Sequence, residues 1–319
     1  MKRTLPRATL LAVALILFAS PAHAQTKAKQ RPNPGNTDDM WVAKPLPESF
    51  PTGVTHHTYR SAAMKRDVGY CIYLPPGYAK DKGRRYPVIY NLHGAGGNET
   101  RTVYSAQVLH DGIAAGRWPE LIMVFPNGGR ATMYQDSADG RFPAETTFIK
   151  ELIPHIDATY RTIAARHGRC IEGFSMGGRG STHLAMKHPD LFCSLFNQAG
   201  NVYRVSEMAA TAQPAEYPLN YLGADPQRLR DNDSFANLLK NLDRINGRLR
   251  IQIACGTKDD GHLPSVRQYH EALLKAGVDH TYIEIEGLAH QQKQMIDLYR
   301  PVWFDYHVES LRRAAAEAK

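Results

Sequence analysis

Residues 170–180 read CIEGFSMGGRG, and this stretch decides the fold. It places Ser175 between glycines, after a short apolar run and before a segment with helical spacing. A G-x-S-x-G pattern between a strand and a helix is typical of a nucleophile elbow, a sharp turn that holds a serine hydroxyl exposed. An ordinary glycine turn is the alternative, and the rest of the chain has to decide between them.

Around this motif the chain alternates short apolar strands with helical segments. YPVIYNLHG, ELIMVFPNG, LFCSLFNQAG, LRIQIACGT and HTYIEIEG are strand-like, and amphipathic stretches separate them. Before them, VTHHTYRS and DVGYCIYLP are spaced to pair as an antiparallel hairpin at a sheet edge. Strands that alternate with helices indicate a parallel sheet covered on both faces, with right-handed crossovers. We therefore predict a doubly wound α/β domain with a mostly parallel sheet of about eight strands.

The composition of the chain changes twice near its start. Residues 1–24 have three basic residues, an apolar run and the A-x-A pattern of Ala22 and Ala24, which together predict a secretory signal peptide. The apolar run is shorter than the ~20 residues of a membrane span. Residues 25–50 are polar and rich in proline, which predicts a flexible leader. We expect an exported, soluble protein, periplasmic or extracellular.

Residues 51–319 are predicted to form a single catalytic domain. Within it, residues 200–234 break the alternation after a strand and are expected to form an irregular insert. Ligands of open α/β sheets bind beyond the carboxyl ends of the strands, so this insert is a candidate wall or lid of a site.

Charge and cysteine content exclude several function classes. The net charge is +8, but the basic residues are scattered and form no stripe, which argues against nucleic-acid binding. No Cys or His spacing typical of a metal site occurs, and no cofactor is predicted. Free buried thiols are favoured over disulfides because all four cysteines lie in apolar, strand-like segments: Cys71, Cys170, Cys193 and Cys255.

A serine nucleophile needs a histidine base that a carboxylate orients, and in this motif's fold the acid precedes the histidine along the chain. Asp259 and Asp260 follow one strand-like segment, and His290 follows the next. Asp259 is the predicted acid and Asp260 the alternative. The other histidines of this region are expected on loop or helix surfaces: His262, His270 and His280.

Backbone amides are the predicted stabilisers of a negatively charged intermediate. NLHGAGGNET, residues 91–100, follows an earlier strand, where half of an oxyanion hole belongs. The amide of Ala95 is the predicted donor, with Gly96 second. The amide of Met176, at the start of the helix after Ser175, is the other donor.

Five motifs in order carry a resemblance to a known family. They are IYLPPGYAKDKGRRYPVIYNLHGAGGNET, ELIMVFPNG, CIEGFSMGGRG, IACGTKDD and IEGLAH. From about Asp67 to its end, the chain resembles the esterase D-like α/β-hydrolases. That group includes the feruloyl and acetylxylan esterases of carbohydrate esterase family 1, enterochelin esterases, S-formylglutathione hydrolases and mycolyltransferases. The resemblance implies an α/β-hydrolase fold, a triad of Ser175, Asp259 and His290, and an oxyanion hole from Ala95 and Met176.

The predicted function is that of a secreted serine esterase, acting on feruloyl or acetyl esters of plant polysaccharide or on related esters. An enterochelin-type siderophore esterase and an acyltransferase are the enzymatic alternatives, and a catalytically silent binding module is the non-enzymatic one. The sequence QQKQM after His290 departs from related feruloyl esterases, which often carry an aspartate or threonine and an aromatic residue there.

Two sets of side chains are candidates for substrate contacts. Aromatic and acidic residues of the loop after ELIMVFPNG and of the insert could line the site: Tyr134, Asp136, Glu145 and Tyr203. Three arginines could hold an anionic group, which favours the siderophore alternative: Arg130, Arg179 and Arg204. Arg179, on the helix of the nucleophile, is expected at the surface.

Overall fold

An eight-stranded sheet organises the part of the chain that the structure, a computed structural model, describes: residues 40–318, without the side chains of residues 299–302. The predicted mostly parallel sheet is confirmed, with strand order β1-β2-β4-β3-β5-β6-β7-β8. Its strands are β1 (Val54–Ser61), β2 (Arg66–Tyr73), β3 (Val88–Leu92), β4 (Ile122–Pro126), β5 (Arg169–Phe174), β6 (Ser194–Gln198), β7 (Arg250–Gly256) and β8 (His280–Ile285).

The register of the sheet brings the carboxyl ends of its central strands to one edge. β1 and β2 form the predicted antiparallel hairpin, and β2 joins β4 antiparallel. All the other pairings are parallel. Leu92, the last residue of β3, lies opposite Gly173, and Phe174 lies opposite Gln198, the last residue of β6. The segments that follow these strands therefore start side by side.

Helices lie between most of the parallel strands and after the last one. They are α1 (Tyr104–Ala114), α2 (Ala144–Thr146), α3 (Ile153–Thr159), α4 (Met176–Lys187), α5 (Val205–Thr211), α6 (Leu219–Leu222), α7 (Pro226–Asp231), α8 (Ser234–Lys240), α9 (Leu242–Ile245), α10 (Leu263–Lys275) and α11 (Gln292–Glu317). A π-helical stretch, Thr147–Leu152, connects α2 to α3. Within residues 40–318, no helix has the length and apolar character that crossing a bilayer requires.

The two faces of the sheet bury separate apolar clusters, because alternate residues of a strand point to opposite faces. Ile89 and Met123 belong to one cluster, and Val88, Tyr90 and Ile171 belong to the other. All four cysteines are buried and free, as the apolar strands containing them predicted. The domain thus has the two covered faces expected of a doubly wound sheet.

The end of the predicted leader is packed against the domain. Trp41 is 1% exposed, and its ring stacks on Phe142 at a centroid distance of 6.1 Å. Its carbonyl accepts a 2.7 Å hydrogen bond from the amide of Gly69 in β2. The expectation of a flexible leader through residue 50 is therefore wrong at Trp41 and Ala43, which are buried, whereas residues 44–49 are exposed. The predicted signal peptide, residues 1–24, lies outside the described residues.

The insert of residues 200–234 is helical where an irregular segment was expected. It contains α5, α6 and α7, and Val205, Leu222 and Leu229 from these helices form a small apolar cluster of their own. This cluster explains the difference, because short helices can be held by mutual packing when their sequences show no clear period. The insert follows the carboxyl end of β6, as predicted.

Candidate active site

Ser175 occupies a strained turn between β5 and α4. Its φ of 57° and ψ of −119° place it outside the ordinary regions for a residue with a side chain. Two glycines make the turn sterically feasible. A Cβ on Gly173 would lie 2.4 Å from the carbonyl carbon of Gly177, and one on Gly177 would lie 2.0 Å from the carbonyl oxygen of Leu92. The predicted elbow is the geometry observed.

A continuous hydrogen-bond relay starts at the Ser175 hydroxyl. His290 Nε2 lies 2.9 Å from Ser175 Oγ, and His290 Nδ1 lies 2.6 Å from Asp259 Oδ2. Asp259 follows β7 and His290 follows β8, two adjacent parallel strands, which is why residues 31 positions apart meet. Because a carboxylate only accepts hydrogen bonds, the Nδ1 proton of His290 is donated to Asp259. His290 Nε2 is then left to accept the serine proton.

The structure distinguishes the two aspartates that the sequence left open. Asp259 is buried and hydrogen-bonded, whereas the next residue, Asp260, is exposed. Burial would raise the pKa of the Asp259 carboxyl, but hydrogen bonds from His262 and His290 outweigh it and hold that pKa below its ordinary value. Asp259 is therefore ionised at neutral pH and attracts positive charge on His290.

Two rings contact the imidazole of His290. Phe174 contacts it from one neighbouring segment at a centroid distance of 4.5 Å. His262 stacks on it in parallel at 3.9 Å and donates its own Nδ1 proton to Asp259 Oδ1 over 2.8 Å. His280, expected on a loop or helix surface, is instead the first residue of β8. His262 does lie in the turn before α10, but its contacts with the relay were not predicted. Its position three residues after Asp259, at the start of α10, was the available signal.

Asp259, His262 and His290 also bring one carboxylate and two imidazoles within 4.8 Å of one another, which is a donor set suited to zinc. Both imidazole Nδ1 atoms, however, face the oxygens of Asp259 at hydrogen-bond distance. The group as it stands is a hydrogen-bonded relay.

Two backbone amides beside Ser175 remain unpaired. Within residues 40–318, neither the amide of Ala95 nor that of Met176 has a hydrogen-bond acceptor. The amide of Gly96, the second candidate, donates instead to the carbonyl of Arg130 over 2.7 Å. A Cβ built on Gly94 would lie 3.4 Å from that of Ser175, so the loop after β3 passes directly beside the elbow.

The buried side chain of His93 fixes the peptide unit that carries the Ala95 amide. His93 Nε2 accepts a hydrogen bond from the amide of Gly128 at 3.0 Å, so its proton is on Nδ1 and is donated to the carbonyl of Gly94 at 2.9 Å. The amide of Gly97 donates to the same carbonyl at 3.1 Å. Because C=O and N–H point in opposite directions across a planar trans peptide, holding the Gly94 carbonyl also aims the Ala95 N–H. Burial lowers the pKa of His93, which keeps it neutral. Sequence analysis missed this residue.

Two of the four predicted substrate contacts serve packing and ion pairing instead. Tyr134 is fully buried, and its ring packs against Gly128 and Gly180. Glu145, 7% exposed, accepts hydrogen bonds from three residues in the second half of α4 and just beyond it: His183, Lys187 and His188. Their burial and internal contacts argue against the expected contacts with substrate.

The remaining candidate substrate residues differ in their exposure and hydrogen-bond partners. Asp136 accepts hydrogen bonds from the amide and hydroxyl of Thr146. Tyr203, in the insert, is half-buried beside Arg179. Arg179 is only 6% exposed, so the expectation that it lies at the surface is also wrong. Arg130 and Arg204 are exposed.

The sequence of most of the domain matches a known protein family. Residues 61–294 match the family model named Esterase and described as "Putative esterase". The chain belongs to the esterase family. This match includes the elbow, the relay and the loop after β3, and the structure around them has the α/β-hydrolase fold.

Curated relatives match only a part of their own length. The esterase Rv1288 of Mycobacterium tuberculosis is 28% identical over 254 residues, which is 73% of this chain and 54% of the relative. A xylanase/feruloyl esterase of Xylanibacter ruminicola is 28% identical over 229 residues, 69% of this chain and 26% of the relative. This chain thus spans about half the length of the first relative and less of the second.

Solved structures share the fold. A ferulic acid esterase superposes with a TM-score of 0.67 at 24% identity, covering 82% of this chain and all of the other. An S-formylglutathione hydrolase from Agrobacterium tumefaciens gives 0.65 at 21% identity, covering 81% of this chain and 95% of the other.

Replacing Glu145 should affect folding rather than substrate affinity. Burial would raise the pKa of this carboxyl, but hydrogen bonds from His183 and His188 and the charge of Lys187 hold it below its ordinary value. Glu145→Gln should reduce the free energy of unfolding at pH 7 by about 2–4 kcal/mol, because buried donors lose a charged acceptor. The stabilisation is complete above the ordinary carboxyl pKa and is lost as pH falls towards the lowered one, so the difference should shrink below about pH 4.

Urea unfolding of the wild type and the variant at pH 7 and pH 3.5 measures this difference. Glu48→Gln, at an exposed position, is the control and should unfold like the wild type. If Glu145→Gln leaves the stability unchanged but raises the KM for an ester, Glu145 contacts the substrate after all.

Proposed function

We propose that the protein is a secreted serine carboxylic-ester hydrolase that acts through Ser175, His290 and Asp259. The observation that carries the proposal is the relay at the elbow, where Ser175 Oγ and His290 Nε2 are 2.9 Å apart and Asp259 holds the other side of the ring. A binding module would need neither a strained serine nor an ionised carboxylate behind its histidine.

The proposed reaction has two halves. The Ser175 hydroxyl attacks the ester carbonyl while His290 takes its proton, and Asp259 stabilises the resulting imidazolium. The amides of Ala95 and Met176 donate to the developing oxyanion, and the positive end of α4 adds to their field. His290 returns the proton to the leaving alcohol. Water, activated by the same histidine, then hydrolyses the acyl-enzyme.

The proposed substrates are acyl esters of plant polysaccharide, feruloyl or acetyl, or related esters. Support comes from the Xylanibacter relative and from the ferulic acid esterase that shares the fold. Export rests on the sequence of residues 1–24, which has the three regions of a signal peptide.

The direct test compares hydrolysis of four esters by the chain starting at Gln25: p-nitrophenyl acetate, methyl ferulate, acetylated xylan and a catecholate trilactone. Ser175→Ala should reduce turnover about 10,000-fold or more, because the members of a triad act as a unit.

Ser49→Ala, at an exposed position, is the control for this series. Turnover that survives Ser175→Ala would refute the mechanism. The ranking of the four esters by turnover identifies the substrate class. If the trilactone is preferred, the proposed substrates are siderophore esters and not polysaccharide esters.

The His93 contacts predict a selective loss of turnover. His93→Phe should reduce kcat about 10- to 100-fold with little change in KM, because the amide of Ala95 is needed in the transition state and not in the ground state. His93→Gln, which can still donate to Gly94 and accept from Gly128, should recover part of the rate. Steady-state kinetics of both variants separates the two constants. A loss that is equal in both variants and follows their thermal stability would mean that His93 only supports packing.

A further inference from the structure

Arg179 lies one helical turn from the proposed nucleophile. Its amide donates to the carbonyl of Ser175 at 3.0 Å. Long side chains of a helix lean towards its N-terminus, which is the direction of Ser175 from Arg179. The residue is nevertheless 94% buried, since 6% of it is exposed.

Two tyrosines of the insert enclose the guanidinium group. Its carbon lies 4.5 Å from the ring centroid of Tyr217 and 5.3 Å from that of Tyr203. Nη2 donates to the Tyr217 hydroxyl at 2.6 Å, and this hydroxyl donates in turn to Gln135 Oε1 at 2.9 Å. Aromatic faces stabilise a cation, but they supply no negative charge.

No carboxylate of residues 40–318 forms an ion pair with Arg179, and its Nε and Nη1 have no protein acceptor there. Asp233, whose charge adds to the effect of burial in raising the pKa of Tyr217, is itself buried. Its Oδ1 accepts hydrogen bonds from the amides of Phe235 and Ala236 at the start of α8, and its Oδ2 accepts one from the amide of Ser206 at 3.5 Å. The contrast is Arg169, 5% exposed, which pairs with Asp157 at 2.6 Å. An enclosed cation without a counter-ion is costly, and a ligand that brings the negative charge would offset that cost.

We propose that Arg179 is an anion subsite that binds a carboxylate on the acyl part of the ester substrate. The acyl group stays bonded to Ser175 after the alcohol has left, so a cation one turn along the same helix is placed to act on that part. Nη2 has two N–H groups and donates one of them to Tyr217, so the other can form a fork with the unpaired Nε–H or Nη1–H, the arrangement that a carboxylate accepts. This inference rests on the proposed esterase function and names the substrate class within it.

The test compares charged and neutral acyl groups of equal length. The 4-nitrophenyl hemiesters of glutarate, adipate and pimelate are assayed beside the corresponding terminal amides, with spontaneous hydrolysis subtracted. The wild type should prefer at least one carboxylate over its amide by about 10- to 100-fold in kcat/KM. Arg179→Met should reduce that ratio to near one, and 0.5 M salt should weaken it in the wild type.

Two further variants keep the test specific. Arg204→Met removes an exposed arginine of the insert, which pairs with Glu207, and should leave the ratio as in the wild type. Arg179→Lys keeps the charge without the fork and should retain part of the ratio. Because a ratio is compared, a general loss of folded protein does not change the outcome.

Two results would overturn the subsite: a wild type without preference for any carboxylate, or a preference that survives Arg179→Met. Hydrolysis of all these esters that persists in Ser175→Ala would instead refute the esterase proposal itself.

Discussion

The backbone turn at Ser175 is the constraint on which the rest of the site depends. A residue with a side chain can combine a φ of 57° with a ψ of −119° only where its surroundings prevent relaxation. Here the ends of β3 and β5 supply that restraint, because Gly173 and Gly177 let β5, α4 and the end of β3 approach to distances that no Cβ would permit. The close approach also brings Gly94 beside Ser175. One packing arrangement therefore exposes the serine and brings the loop with the Ala95 amide next to it.

The other functional groups reach this turn because parallel strands end at one edge. Asp259 follows β7 and His290 follows β8, so the sheet delivers acid and base to adjacent positions. Two further imidazoles then fix the orientations: the partly buried His262 donates a hydrogen bond to the second oxygen of Asp259, and the buried His93 holds the peptide before Ala95. The insert after β6 adds Tyr203 and Tyr217, which enclose Arg179 on the nucleophile helix. The strands thus position the relay residues, and the insert encloses Arg179.

The fold and the three relay residues could be predicted from the sequence because both depend on local patterns: strand–helix alternation, the glycines around Ser175, and polar residues after strands. Side chains whose role depends on contacts between distant segments could not. Arg179 was expected at the surface because a charged residue on a helix usually is, yet a remote insert covers it. Glu145 was expected to bind substrate, but its carboxylate contacts His183 and Lys187 of α4 instead. Trp41 lies in a polar, proline-rich segment, and the composition of that segment does not indicate that this one ring is buried.

The central claim is that Asp259 and His290 activate Ser175 as a nucleophile, and covalent labelling tests it without assuming a substrate. A fluorophosphonate would be added to the wild type, Asp259→Asn and Asp260→Asn, and the rate of mass increase at Ser175 measured by mass spectrometry of the intact protein and its peptides. We expect one label on Ser175. The rate should fall about 100- to 10,000-fold in Asp259→Asn and remain near that of the wild type in Asp260→Asn. Labelling elsewhere, or equal rates in all three proteins, would contradict the account.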